Sequence, residues 1–204
     1  IDQSVRMIDR GEKVDRLVKL LNGENVNRSI VFTRTKRGAS ALARKLEKQN
    51  IAAAAIHGNK SQAARQKALN SFRQNRISVL VATDVAARGI DIDDVSHVVN
   101  FDMPVDPESY VHRVGRTGRA GAEGIAISFC TADEFDKLRE IEKLIGQQIR
   151  VQNPGAKLTA VAGKPGTPRS GGRPAGRRGP SAGNRSNKRI GKSRFANSRP
   201  KAKA

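Results

Sequence analysis

Ten residues, HRVGRTGRAG at positions 112–121, place Arg113, Arg116 and Arg119 three apart, with glycines at 115, 118 and 121. A guanidinium is planar, permanently charged and forked in its donors, and a glycine beside it lets the backbone approach a ligand closely, so the run suits a condensed phosphate. A nucleoside triphosphate fits. The 204 residues contain no G-x-x-x-x-G-K-[ST] cradle and no acidic Mg²⁺-binding strand motif, which leaves half of such a nucleotide site missing. The arginines are therefore expected to act on a nucleotide held by another domain, stabilising charge as the γ-phosphate departs.

A second set of residues has the types that grip a phosphodiester backbone. RTKRG follows the apolar run SIVFT, GNKSQAAR follows AAAAIH, and TDVAARGIDI follows SVLVA. Gly58, Gln62 and Arg65 straddle a helix start that Ser61 can cap, and Thr83, Asp84, Arg88, Gly89 and Asp91 fall within nine residues. Backbone N–H groups at a helix start, glycines that permit close approach, and hydroxyl or guanidinium donors together make a phosphate site. Several such loops on one sheet edge would track a nucleic-acid strand. Asp84 and Asp91 could instead end strands and cap turns, as aspartate does in most loops, although the motif around Asp91 favours a functional role there. His57, His97 and Cys130 read as packing residues, and no metal site is expected.

The elements that position these loops follow from periodicity. Five short apolar runs, 29–33, 52–57, 78–82, 97–101 and 124–129, read as strands buried on both faces. Helices are expected over 12–21, 36–50 and 61–75. Their inward faces would carry Val14, Leu17, Val18 and Leu21, then Ala39, Leu42, Ala43 and Leu46, then Ala64, Ala68, Leu69 and Phe72. A further helix follows the capping box Thr131-x-x-Glu134, with Phe135, Leu138, Ile141 and Ile145 inward. Alternating strand and helix predicts an α/β domain in three layers, a mainly parallel sheet covered by helices on both faces, which binds ligands beyond the carboxyl ends of its strands.

Charge locates the boundary. The chain carries 39 Lys+Arg against 19 Asp+Glu, a net +20, and the last acid is Glu142. Residues 155–204 hold 14 Lys+Arg and no acid, so residues 1–154 keep 25 cations against all 19 acids, a net of +6. Residues 1–152 are expected to form the folded domain. Residues 153–204, rich in Gly, Pro, Ser and Arg with Phe195 their one aromatic, lack the apolar surface to offset ordering entropy and are expected to be a disordered basic tail that tethers nucleic acid. One cysteine precludes an internal disulfide, and no apolar run approaches the ~20 residues of a membrane span. A reducing, cytoplasmic setting and no membrane partner are expected. The chain begins at Ile1 and is expected to be part of a longer one.

IVFTRT, HGNKSQAARQKAL, VLVATDVAARGIDI and YVHRVGRTGRAG, in that order and spacing, resemble the C-terminal RecA-like domain of DEAD-box ATP-dependent RNA helicases over roughly residues 1–150. VFTRTKRGA with AAIHGNKSQ is most similar to the bacterial RhlE-type branch, which also ends in basic Gly/Arg-rich tails. The resemblance implies ATP with Mg²⁺ as cofactor, the metal held mainly by an N-terminal RecA-like domain whose motifs this sequence lacks. It implies Arg116 and Arg119 on the γ-phosphate with Arg119 as the arginine finger, Asp91 on the ribose hydroxyl, and Gly89 passing the nucleotide closely. It implies Arg88, His112 and Arg113 in coupling between the domains. It implies Thr35, Gly58, Gln62, Arg65 and Thr83 on RNA phosphates and riboses without base reading. Expected partners are RNA, the N-terminal domain of the same protein, and ribosomal or RNA-decay assemblies. The alternative is a stand-alone RNA-binding or annealing module, which would have no use for paired γ-phosphate ligands.

Overall fold

The computed structural model describes residues 1–23, 25–87, 92, 95–119 and 121–153. What the sequence suggests for Arg88, Gly89, Asp91 and the tail beyond 153 lies outside the described residues. In chain order the elements are β1 (Asp2–Met7), α1 (Lys13–Leu21), β2 (Ser29–Phe32), α2 (Lys36–Glu47), β3 (Ala53–Ile56), α3 (Gln62–Arg73), β4 (Val79–Ala82), α4 (Asp84–Ala87), β5 (His97–Asn100), α5 (Pro107–Val114), β6 (Ile125–Cys130), α6 (Phe135–Ile145) and β7 (Arg150–Val151). The strands form one sheet in the order β3-β4-β2-β5-β6-β1-β7, and every pairing is parallel.

All residues of β2, β4 and β5 are buried, as a sheet covered on both faces requires. Alternation along the strands sorts the helices into layers. Val31, Val81, Val99 and Ile127 face Leu17 and Leu21 of α1 and Leu42 and Leu46 of α2. Ile30, Phe32, Leu80 and Val98 face Ala68 and Phe72 of α3. Val98 is in register with Ala126, and Ala126 packs with Tyr110 and Val114 of α5 and Leu138 and Ile141 of α6. Helices α1 and α2 thus cover one face and α3, α5 and α6 the other.

Four elements lie outside the sequence expectation: β1, β7, α4 and α5. Ser4 and Arg6 interrupt the apolar run of β1, yet the strand fits between β6 and β7 with Ser4 and Val5 buried. The short helix α5 had a start signal in Asp106-Pro107: the Asp106 carboxylate accepts from Ser109 N–H at 2.8 Å, and proline takes the first helical position. Two inward assignments also change. Ala64 is exposed, and Phe135 is 41% exposed. At about 100° per residue, a step of three drifts by about 60°, so Phe135 lies to one side of the stripe that Leu138, Ile141 and Ile145 share.

Candidate functional site

Helix α5 carries His112 and Arg113 in its last turn and ends at Gly115. That ending separates the three arginines. Arg113 points inward and is 1% exposed, whereas Arg116 and Arg119 follow the helix and stay partly exposed. Arg116 Nε donates to His112 O and Arg119 Nε to Gly115 O, both at 3.1 Å, so each stem is held by a carbonyl four residues back. The loop is tight. Gly118 has φ +65°, and a Cβ there would meet Ile1 Cγ1 at 2.6 Å, so only glycine fits without displacement. The Thr117 hydroxyl donates to the carbonyls of Val95 and Ser96, which anchors the loop ahead of β5. The loop therefore lies beside the face that α5 covers, with Thr117 anchored ahead of β5 while Arg116 shares a small cleft with Phe32, Asp84 and Ala87 at the carboxyl ends of β2 and β4.

The carboxyl edge holds the other set. Thr35 caps α2, its hydroxyl accepting from Gly38 N–H at 2.9 Å, and Ser61 caps α3 through Ala64 N–H at 3.2 Å. Gly58 is exposed between them, with Lys36 Nζ donating to Asn59 Oδ1 at 3.0 Å across the gap. Gln62 is exposed on the first turn of α3, and its Oε1 accepts from Arg65 Nη1 at 3.3 Å. Thr83 follows β4 and is largely buried, its carbonyl accepting from Ala86 and Ala87 N–H. Because β3, β4 and β2 are neighbours in the sheet, Gly58, Thr83 and Thr35 fall side by side. Two helix N-termini, each with positive dipole ends, face this edge.

Arg113 joins the two regions. Its Nε and Nη2 donate to the Asp84 carboxylate at 2.5 and 2.8 Å, and its Nη1 donates to Asn100 Oδ1 at 3.2 Å and Asp102 O at 2.8 Å. The guanidinium also stacks over Phe32, 5.1 Å from the ring centroid. Asp84 thereby gains a bracing role inside the domain. Beyond it, Asp102 Oδ2 accepts from Arg34 N–H at 3.0 Å, and the buried Glu134 accepts from Lys13 Nζ at 3.2 Å and Arg34 Nη2 at 3.3 Å. The sequence reading missed Lys13, Asn100 and Asp102 altogether. A signal for Lys13 existed: it shares the i, i+4, i+8 spacing of Leu17 and Leu21 and so belongs to the inward face of α1.

Replacing Arg113 should leave Asp84 and Asn100 without their donors. Breaking a buried pair of this kind typically costs about 3–5 kcal/mol, and Asp84 can partly rehydrate, so Arg113→Met is expected near ~3 kcal/mol. A thermal melt of the chain should show Tm lower by roughly 6–12 °C. An unchanged Tm would show that the network is dispensable.

His57 and His97 are buried beside serines, Ser40 Oγ lying 2.7 Å from His57 Nε2 and Ser96 Oγ 3.0 Å from His97 Nδ1. Burial lowers both pKa values below the ordinary imidazole range, helped at His57 by Lys60 and Lys36. Both are packing residues. Burial pushes the Cys130 thiol up to about 12, so it remains a protonated core side chain. Among the described residues no three His, Cys, Asp or Glu side chains gather as a metal site would need, and no helix is long and apolar enough to cross a membrane.

Residues 12–121 match the family model described as "Helicase conserved C-terminal domain". The chain is 45% identical over 164 residues to the DEAD-box ATP-dependent RNA helicase CshA of Geobacillus kaustophilus, covering 80% of this chain and 35% of the relative. It is 48% identical over 155 residues to the CshA of Bacillus subtilis, covering 76% and 31%. The chain thus spans about a third of the length of these relatives. In structure it is similar to the E. coli DEAD-box protein SrmB bound to regulator of ribonuclease activity A, with TM-score 0.71 and 42% identity over 74% of this chain and 90% of that one. A DEAD box protein from the hyperthermophile Methanococcus jannaschii gives TM-score 0.70 and 42% identity, covering 74% and 41%.

Proposed function

The chain belongs to the helicase conserved C-terminal domain family, as the C-terminal helicase domain of a DEAD-box RNA helicase, and from that premise we propose that it works as the second motor domain of an ATP-dependent RNA helicase. The observation that carries this reading is the placement of Arg116 and Arg119. They sit outside the buried network, on stems fixed by carbonyls, next to a helix whose one arginine, Arg113, ties it to the sheet.

Two guanidiniums at that spacing fit a γ-phosphate by donor type and charge. ATP, when bound, supplies the phosphoryl group whose departure drives the cycle. Arg119 acts as the finger that stabilises the charge developing on that group, and Arg116 orients it. His112, exposed on α5, and Arg88 link the loop to the partner domain. Arg113, buried and bonded to Asp84, Asn100 and Asp102, instead braces the loop from within its own domain and does not reach a partner directly. Gly89 and Asp91 belong to the nucleotide's ribose side in this proposal. Mg²⁺ is held mainly by the N-terminal domain in the same proposal.

Thr35, Gly58, Gln62, Arg65 and Thr83 hold RNA phosphates and riboses at the carboxyl edge and read no bases. Closure of two domains over ATP and RNA then bends the strand and frees it from a short duplex. A cytoplasmic setting and ribosomal or RNA-decay assemblies as further partners belong to the same proposal. So does a place in the RhlE-type branch, which rests on VFTRTKRGA, AAIHGNKSQ and the basic tail, while the curated relatives reported above are named CshA.

The test is direct. This chain alone should hydrolyse ATP no faster than a buffer control, with or without RNA, because it has no phosphate cradle. Robust turnover by the isolated chain would remove the need for a partner domain and overturn the division of labour.

A further inference from the structure

Strand β3 ends the sheet, pairing with β4 on one side and with no other strand among the described residues. The carbonyls of Ala52 and Ile56 accept from Ser78 and Thr83 N–H on the β4 side. Backbone direction alternates along a parallel strand, so Ala53 and Ala55 turn their N–H and C=O groups outward. Natural sheets usually blunt such an edge, because it is a template for another strand. Among the described residues it is left open.

The edge also lies at the floor of a groove of about 440 Å³. Helices α2 and α3 cover opposite faces of the sheet, so each forms one wall. Ala43 and Ser40 line it from α2, and Ala64, Ala68 and Ser71 from α3. These short side chains leave Ala54 and Ala55 partly exposed between the helices, and Ala53, though only 4% exposed, also lines the groove. They also explain why Ala64, which helical periodicity places inward, is exposed. Arg44, Lys60 and Lys67 rim the groove against the single acid Glu47, and all three cations are exposed with no ion pair among the described residues.

We infer that the β3 edge is a docking site for an extended acidic segment of another protein, which adds to the sheet as an eighth strand between α2 and α3. The ladder supplies affinity and the basic rim selects acidic side chains. The chain's own tail is a poor occupant, since residues 155–204 carry 14 cations and no acid. RNA is disfavoured too: outward backbone groups alternate donors with acceptors, whereas a phosphodiester only accepts, and no aromatic side chain lines the groove for stacking. The site lies apart from Arg116 and Arg119.

A fluorescent decapeptide of alternating Glu and Val is the probe, compared with the same peptide N-methylated at every second residue. Methylation preserves the charge but removes the donors of the ladder, so binding through the basic tail is unaffected by it. The full chain should bind the unmethylated peptide at least about tenfold more tightly, and amide exchange at Ala53 and Ala55 should slow by about tenfold or more in its presence. The exposed pair Arg44→Glu with Lys67→Glu should lose that binding at an unchanged Tm. Equal binding of the two peptides, no binding at millimolar concentration, or protection outside β3 would overturn the proposal. Protection of the same two amides by an RNA oligonucleotide in place of the peptide would overturn it as well, assigning the groove to RNA.

Discussion

Replacing Arg119 with alanine in the complete enzyme is expected to lower kcat by about 10³-fold or more, the range associated with arginine fingers, while ATP binding weakens far less. The finger stabilises charge that exists mainly in the transition state, so its loss appears in kcat rather than in ground-state affinity. Helix α5 is pinned by Arg113 and the loop by the Thr117 hydroxyl, so Arg119→Ala should leave the loop in place and the Tm close to wild type. Arg119→Lys should fail to rescue turnover, because a compact ammonium cannot reproduce the fork. Steady-state ATPase at saturating RNA and ATP reads all three effects. A lysine variant at full rate would show that charge alone suffices.

Removing residues 155–204 is expected to change RNA binding on a similar scale. Each phosphate neutralised on a single strand contributes a slope of roughly −0.7 in log K against log salt. If half of the 14 tail cations engage, the tail contributes a slope near −5, which amounts to about 10³ in affinity between 50 and 200 mM salt. The truncated protein should bind RNA much more weakly at low salt, with a flatter salt dependence and the same sequence preference. Its kcat at saturating RNA should be unchanged, since no tail residue belongs to the arginine loop. Isotherms at several salt concentrations decide the matter. An unchanged slope would make the tail a spacer, and a lower kcat at saturation would place it on the motor.

Local pattern carried most of the framework. The apolar runs became β2 to β6 within a residue or so at each end, and Ser61 and Thr131 start helical segments as their spacing indicates. What escaped was long-range pairing. Glu134 reads as half of a capping box, yet it also receives Lys13 from 121 residues away, and nothing in either local window announces the other. Asp84 stood between a turn cap and a functional residue until Arg113, 29 residues on, took both its oxygens. The even spacing of Arg113, Arg116 and Arg119 suggests one shared task. Because α5 stops at Val114, the same spacing instead sends the first arginine inward and leaves the next two outside.

The central claim is that this chain supplies arginines to a nucleotide held elsewhere. Single-turnover hydrolysis of ATP bound to the separately produced N-terminal domain, with RNA present and this chain titrated in, tests it most directly. The rate should rise to saturation with the wild-type chain, whereas the Arg119→Ala chain should saturate at a similar concentration and remain about 10³-fold slower. Equal rates with the two chains, or hydrolysis that ignores the chain altogether, would contradict the account.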